Sequence, residues 1–396
     1  MNILRLSIAN LRHQRLQAVL QVLLLALGTA AMALMILLGR GLEGAIARDL
    51  AGIDLVVGAK GSPLQLILSS VYQIDVPTGN IDRAEAERIA KDQRIALAVP
   101  LALGDSFRGA RIVGTTPDYL ALYHAGLAQG AMFAAPLETV IGSEIARATG
   151  LGIGDTFTGA HGLAEGGAEH ADHPYRVTGI LAQTGTVIDR LVITSLESVW
   201  AVHAVHESAP GGYDPSREIT ALLIRYRTPL AGLQMPRYIN DETSMQAAAP
   251  ATEVARLYGF LGVGRLAFQV LGLAFIGLAA LSVFAGLYAA LDQRRHDLAI
   301  MRALGASRPR VFLQLLSEAM LIGLAGAMSG LMLAHLAATA LAALLGLSPL
   351  LPDGGNVFLA EELLVAALAL IASAAAAILP ALNAYRLDIA ATLQRA

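Results

Sequence analysis

The sequence predicts an α-helical membrane protein with four transmembrane helices and an α+β domain inserted between the first and the second. Of 396 residues, 55% are hydrophobic and only 15% charged, where a soluble chain carries about 25%. The apolar residues gather in four long runs instead of spreading evenly. The one long stretch between runs, residues 41–258, alternates short strand-like and helix-like pieces and holds most of the acid.

Taken in order, residues 1–17 read as an amphipathic interfacial helix, with Arg5, Arg12, His13 and Arg15 as its basic flank. The first span, 18–40, is uncharged from 18 to 38. That run exceeds the roughly 7–15 residues of a signal-peptide core, and Gly39-Arg40-Gly41 makes a poor cleavage site, so a retained anchor is expected. The second span, 262–292, is uncharged between Arg265 and Asp292. The third, 311–345, carries Glu318 as its single acid, expected near the cytoplasmic end in a structural role. Gly323, Gly326 and Gly330 in the same run permit close helix approach, which suits a packed dimer. The fourth, 362–380, is expected to end at Pro380. Each run is long enough for the ~20 helical residues that cross about 30 Å of hydrocarbon.

Basic residues orient the spans. The connection at 293–310 carries Arg294, Arg295, Arg302, Arg308 and Arg310, and the tail at 381–396 carries Arg386 and Arg395. The loop at 346–361 has no Lys or Arg. Both termini and the 293–310 connection are therefore expected in the cytoplasm, and the 41–258 segment and the 346–361 loop outside. The charge divides the same way: residues 41–258 hold 16 basic and 24 acidic side chains, net −8, and the remainder is net +5. Basic charge this sparse suits anionic lipid and a cytoplasmic protein and excludes a nucleic-acid partner.

Within the inserted segment, Asp54 to Gly58 reads as a strand running into a glycine turn. Residues 82–94 read as a helix capped by Asp82. Residues 111–114, 139–142 and 175–181 read as strands closed or interrupted by glycine. Residues 144–149 form a short helix, and 195–207 another, capped by Thr194 or Ser195. No cysteine occurs anywhere, so neither a disulfide nor a thiolate metal site is possible.

The most specific stretch is RRHDLAIMRALGAS over residues 294–307. Apolar Leu298, Met301 and Ala303 are interspersed with Arg294, Arg295, Asp297 and Arg302, and Gly305 can stop a helix. A short amphipathic helix between two spans fits a groove on a soluble partner. This stretch resembles the coupling-helix signature of the FtsX-like permease family, which includes the MacB and lipoprotein-releasing permeases. The tail from Pro380 and Ala381 through Tyr385, Arg386, Leu387 and Asp388 to Leu393 resembles that family's C-terminal pattern, and DLVVGAKGSPLQLILSS from Asp54 resembles the start of a MacB-type periplasmic core domain. The resemblance implies an inner-membrane ABC-transporter permease working as a mechanical transmitter. It implies a dimer, with two copies of this chain favoured over a heterodimer, each permease binding a separate ATPase that carries ATP and Mg. The ATPase would be met by Arg294, Asp297, Ala299, Met301, Arg302, Ala303, Leu304 and Gly305.

ATP chemistry is not expected in this chain. A phosphate-binding loop needs Gly-Lys followed by Ser or Thr, and the only lysines, Lys60 and Lys91, stand in Ala-Lys-Gly and Ala-Lys-Asp. No Gly-x-Ser-x-Gly elbow occurs, and His203-Ala-Val-His206-Glu207 is neither zincin nor inverzincin order, so no catalytic constellation is expected.

Histidines hold the clue to cargo. His161, His170 and His173 fall in HGLAEGGAEHADH beside Glu165, Glu169 and Asp172, while His203 and His206 lie three apart on one predicted helix. Imidazoles with a carboxylate suit zinc, copper or nickel, and His161, His170, Asp172, His173, His203 and His206 are the candidate ligands. The expected function is ATPase-driven export or extraction of a substrate from the periplasm or outer leaflet, with a link to transition-metal homeostasis and a periplasmic adaptor or substrate-binding protein as a further partner. The alternative is a non-transporting relay, resembling FtsX, that controls a periplasmic partner. A metal-binding receptor without an ATPase is a third class, and the coupling signature speaks against it.

Overall fold

Strand periodicity and strand pairing explain the inserted domain. The computed structural model describes residues 3–50, 52–162, 172–204, 214–293, 300, 302, 306–344 and 355–386. It comprises two compact units, residues 44–260 and a helical unit of residues 1–43 with 261–396.

In the 44–260 unit the described strands are β1 (Leu55–Ala59), β2 (Ile81–Asp82), β3 (Ile95–Phe107), β4 (Ala110–Thr115), β5 (Leu127–Gly130), β6 (Glu138–Ile141), β7 (Thr156–Phe157), β8 (Ala160–His161), β9 (Tyr175–Leu181), β10 (Val192–Ser195), β11 (Glu218–Ile219), β12 (Ala221–Tyr226) and β13 (Met245–Ala248). The principal sheet runs β13-β1-β12-β3-β4-β10-β6-β9-β5, with β8 added to β3 and β7 to β9. β3 is the pivot. Its first half pairs with β12 from Ile95 to Leu101 and its second half with β4 from Ala102 to Phe107, all antiparallel.

Alternation of side chains sends apolar residues to both faces. Val56, Val99, Leu101 and Leu223 join one core with Leu66, Ile67, Tyr119 and Leu120. Leu55, Val57, Ala102, Leu222 and Ile224 join another with Ala86, Val199, Met235 and Ile239. The covering helices are therefore α3 (Pro63–Ser70) and α5 (Asp118–Leu122) on one face, and α4 (Arg83–Ala90), α7 (Leu196–Ala204) and α8 (Ala231–Glu242) on the other. α6 (Ser143–Thr149) ends at Gly150, which takes the left-handed φ of +74° that a helix stop requires.

Local signals in the sequence hold here. The strands expected at 111–114, 139–142 and 175–181 are β4, β6 and β9. Asp82 caps α4, its carboxylate accepting from Glu85 N at 2.8 Å. That helix is shorter than the 82–94 expected: it ends at Ala90. Asp92 turns the chain by accepting from both Arg94 N and the Arg94 guanidinium, so residues 92–94 form a local turn that competes with helix.

The helical unit contains α1 (Ile3–His13), α2 (Arg15–Leu50), α9 (Pro250–Gln293), α10 (Arg308–Leu344) and α11 (Ala360–Tyr385), of which α2 and α9 run on into the other unit. Four stretches, Arg15–Leu50, Gln269–Gln293, Arg308–Leu344 and Ala360–Tyr385, are long and apolar enough to cross a membrane. The helix of the fourth stretch runs on to Tyr385, with Pro380, where the span was expected to end, buried inside it. A buried proline is tolerated in a membrane helix because neighbouring helices can satisfy the backbone group it frees. Exposed Leu363, Leu364, Ile371 and Leu379 leave α11 with an apolar outer face.

Small residues set the helix spacing inside this unit. A Cβ at Gly330 would fall 2.6 Å from Thr29 Cβ and 2.7 Å from the Ala26 carbonyl oxygen of α2. Gly326 abuts Leu25, and Gly323 abuts Ser373 of α11. These glycines meet side chains and backbone of the same chain.

The amphipathic α1 docks on α10. Ser7 is fully buried, its hydroxyl 2.6 Å from that of Ser317 and 3.3 Å from the Gln314 carbonyl. Asn10 donates to the buried Glu318 carboxylate at 2.6 Å. Arg5, Arg12, His13 and Arg15 remain exposed.

Two substitutions test this packing. Asn10→Ala removes a donor from a buried carboxylate and should destabilise the protein by about 1–3 kcal/mol. Gly330→Leu should separate α10 from α2 and cost at least about 1–3 kcal/mol. Both are read as lowered thermal unfolding temperatures of the purified protein in detergent, with Gly277→Ala, which meets nothing within 4 Å, near neutral.

Candidate functional site

A charged residue inside an apolar strand needs a reason. β3 reads apolar through Ile95–Leu103 and then breaks into Gly104-Asp105. The pairing with β4 slips at the same place: Leu103 faces Val113 and Ser106 faces Arg111, so Gly104 and Asp105 together oppose Ile112. This is a β-bulge, two residues against one, and bulges re-aim a side chain. Asp105 is left 2% exposed.

β8 places the second group. It adds antiparallel to β3 with His161 directly opposite Asp105, and Gly162 N donates to the Gly104 carbonyl at 2.8 Å. His161 Nδ1 lies 3.2 Å from Asp105 Oδ1.

α7 places the third. Ser195 caps it, accepting from Ser198 N at 3.2 Å, and Ser198 Oγ in turn accepts from Leu137 N at 2.9 Å. Val199 and His203, one turn apart, share the face turned to the sheet. Both are cleared by glycine: a Cβ at Gly114 of β4 would lie 2.6 Å from Val199 Cγ2, and one at Gly104 would lie 3.3 Å from His203 Nε2. His203 Nε2 is 3.5 Å from Asp105 Oδ2. The two imidazoles have ring centroids 5.1 Å apart and are tilted by 39°. Trp200 donates from Nε1 to the Glu218 carbonyl at 3.1 Å beneath the Arg83 guanidinium, which holds the end of the helix in place.

Asp105, His161 and His203 therefore bring one ligand atom each within 4.8 Å of one another. They are the group among the described residues able to hold a metal ion. His203 and Gly104 also line a cleft of about 210 Å³ with Asn80, Trp200, Glu218 and Thr220. The Tyr175 phenol is held well above its ordinary range, chiefly by burial and secondarily by the Asp105 charge.

Of the candidate ligands read from the sequence, the structure brings His161 and His203 together. Asp172, exposed, and His173, half-buried, stand outside the group. His170 and His206 lie outside the described residues. Asp105 was missed, although Gly-Asp interrupting an apolar strand is itself a bulge signal.

Comparison with known proteins decides the family. The model of the MacB-like periplasmic core domain matches residues 18–230, more than half of the chain, and that of the FtsX-like permease C-terminal region matches residues 269–389. The chain belongs to the MacB/FtsX-like family of ABC-transporter permeases. Among solved structures, the periplasmic region of MacB from Actinobacillus actinomycetemcomitans is 12% identical with a TM-score of 0.35, covering 54% of this chain and 97% of that one. The extracellular domain of the noncanonic ABC-type transporter YknZ from Gram-positive bacteria is 9% identical with a TM-score of 0.30, covering 49% and 98%. No curated protein matches the chain.

This permease is thus a multi-pass membrane protein whose α+β domain lies outside the membrane. Its FtsX-like region includes the connection between α9 and α10. There Arg302 is helical and half-buried, whereas Arg294, Asp297, Ala299, Met301, Ala303, Leu304 and Gly305 lie outside the described residues.

The glycine at 104 offers a direct check on the packing. Gly104→Val would push branched carbons against the His203 ring, so the expected cost is about 1–3 kcal/mol. It should appear as a lower unfolding temperature of the permease, with Gly109→Ala, which meets no atom within 4 Å but sits at φ +80°, as the strain-only comparison.

Proposed function

We propose that this permease couples ATP hydrolysis by a separate ATPase subunit to conformational change in its exported domain, and so drives export or extraction of a substrate from the periplasm or the outer leaflet. The observation that carries this is the position of RRHDLAIMRALGAS, residues 294–307, between two spans and inside the matched FtsX-like region. Arg294, Asp297, Ala299, Met301, Arg302, Ala303, Leu304 and Gly305 would meet the ATPase. Arginine on an amphipathic segment favours an acidic groove, and the apolar Leu298, Met301 and Leu304 supply the contact area.

Charge distribution supports the orientation. The net −8 of residues 41–258 against the net +5 elsewhere suits an exported domain and a cytoplasmic basic connection. ATP and Mg belong to the partner, since this sequence contains no Gly-Lys followed by Ser or Thr. α2 and α9, the two helices that join spans to the exported domain, are the covalent links through which motion at the connection reaches it. Two copies of the permease with two ATPases make the working unit. A periplasmic adaptor or substrate-binding protein would receive the motion, and a link to transition-metal homeostasis follows from the histidines.

The double variant Arg302→Glu, Gly305→Pro should lose capture of the ATPase when the two proteins are co-expressed and the permease is pulled down. Its yield in the membrane fraction should match wild type. Unchanged capture by a correctly inserted variant would sink the coupling assignment.

A further inference from the structure

We infer that Asp105, His161 and His203 form a binding site for a divalent transition cation of the zinc type, on the exported domain and independent of how the permease meets its ATPase.

The spacing is that of ligands. Two atoms bound to one tetrahedral zinc at roughly 2.0–2.1 Å lie about 3.3 Å from each other. Asp105 Oδ1 to His161 Nδ1, 3.2 Å, is one such edge, and His203 Nε2, 3.5 Å from the other carboxylate oxygen, completes a group of three ligand atoms within 4.8 Å of one another. The edge between the imidazoles lies within 4.8 Å, and a shift of His161, whose side chain is 42% exposed, closes it.

The surroundings are those of a built site. The bulge turns Asp105 inward, the strand register sets His161 opposite it, and the absent side chain at Gly104 leaves room for the His203 ring. Three segments far apart in sequence converge on one buried carboxylate. The Asp105 side chain is 1% exposed, and a carboxylate that deeply buried requires compensating charge or hydrogen bonds. The two imidazoles already face it, and a dication held by all three groups would add to that compensation.

Donor chemistry selects the ion. Two imidazole nitrogens and one carboxylate oxygen suit zinc, cobalt, nickel or copper, whereas calcium and magnesium require oxygen-rich cages. Three protein ligands leave one tetrahedral position open, the arrangement of an exchangeable or reactive site and not of a closed structural one. His203 faces the cleft lined by Asn80, Trp200 and Glu218, where a water or a cargo group would take that position.

The test uses full-length permease without a histidine tag, reconstituted in lipid nanodiscs, stripped with chelator and titrated with zinc by calorimetry and with cobalt by visible absorption. Wild type should bind one zinc per chain, show a ligand-field band with cobalt, and ignore calcium and magnesium. Asp105→Asn, His161→Ala and His203→Ala should each weaken zinc by roughly 100-fold and abolish the cobalt band, while His173→Ala keeps both. Size exclusion and circular dichroism report folding, and His161→Ala, at the most exposed ligand, serves if Asp105→Asn misfolds. Zinc affinity unchanged in His161→Ala and His203→Ala would overturn the site, as would equal competition by calcium.

Discussion

Hydrocarbon offers no water to a peptide group, so any segment crossing it must satisfy its own N–H and C=O groups. Much else in this permease follows from that requirement. It forces the four apolar runs into long helices, and it confines the sheet to the segment between the first and second of them. Once the backbone is satisfied internally, helix association depends on how closely axes approach and on the few polar side chains left over. Both appear here. Gly323, Gly326 and Gly330 let α10 close on α2 and α11, and Ser7 and Asn10 carry α1 onto Ser317 and Glu318.

The exported domain answers a different need. A sheet covered on both faces must have apolar residues at successive positions of its central strands, and β1 and β12 show this. β3 spans both halves of the sheet, pairing with β12 and with β4. That it should carry a glycine, an aspartate and a bulge midway is a local cost at a central strand. The convergence of His161 and His203 on that aspartate gives the cost a purpose.

The legible parts of the fold were those with short-range causes. Strand β9 was readable from the alternation in YRVTGIL closed by its neighbours, α4 from the Asp82 cap, and α7 from Ser195. β12 went unassigned because a strand buried at successive positions has no alternation to read. α4 was drawn too long because Asp92 and Arg94 belong to a turn, and Pro380 does not end the helix of the fourth run because a proline is a breaker only where no neighbouring helix shelters it. At the candidate site, His161 and His203 stood out by residue type. His170, Asp172 and His173 stood out equally, since a histidine-rich loop does not say which rings face inward.

Composition, hydropathy and the 294–307 signature by themselves determined the membrane class, the inserted domain and the family resemblance, because each is a property of neighbouring residues. Only the tertiary structure decided that residues 105, 161 and 203 meet. Their meeting depends on a strand register, a bulge and the clearance above two glycines, Gly104 and Gly114. Such contacts are long-range: a one-residue slip of register would turn every side chain on the strand to the other face, and nothing in the local sequence of either histidine records which residue lies opposite.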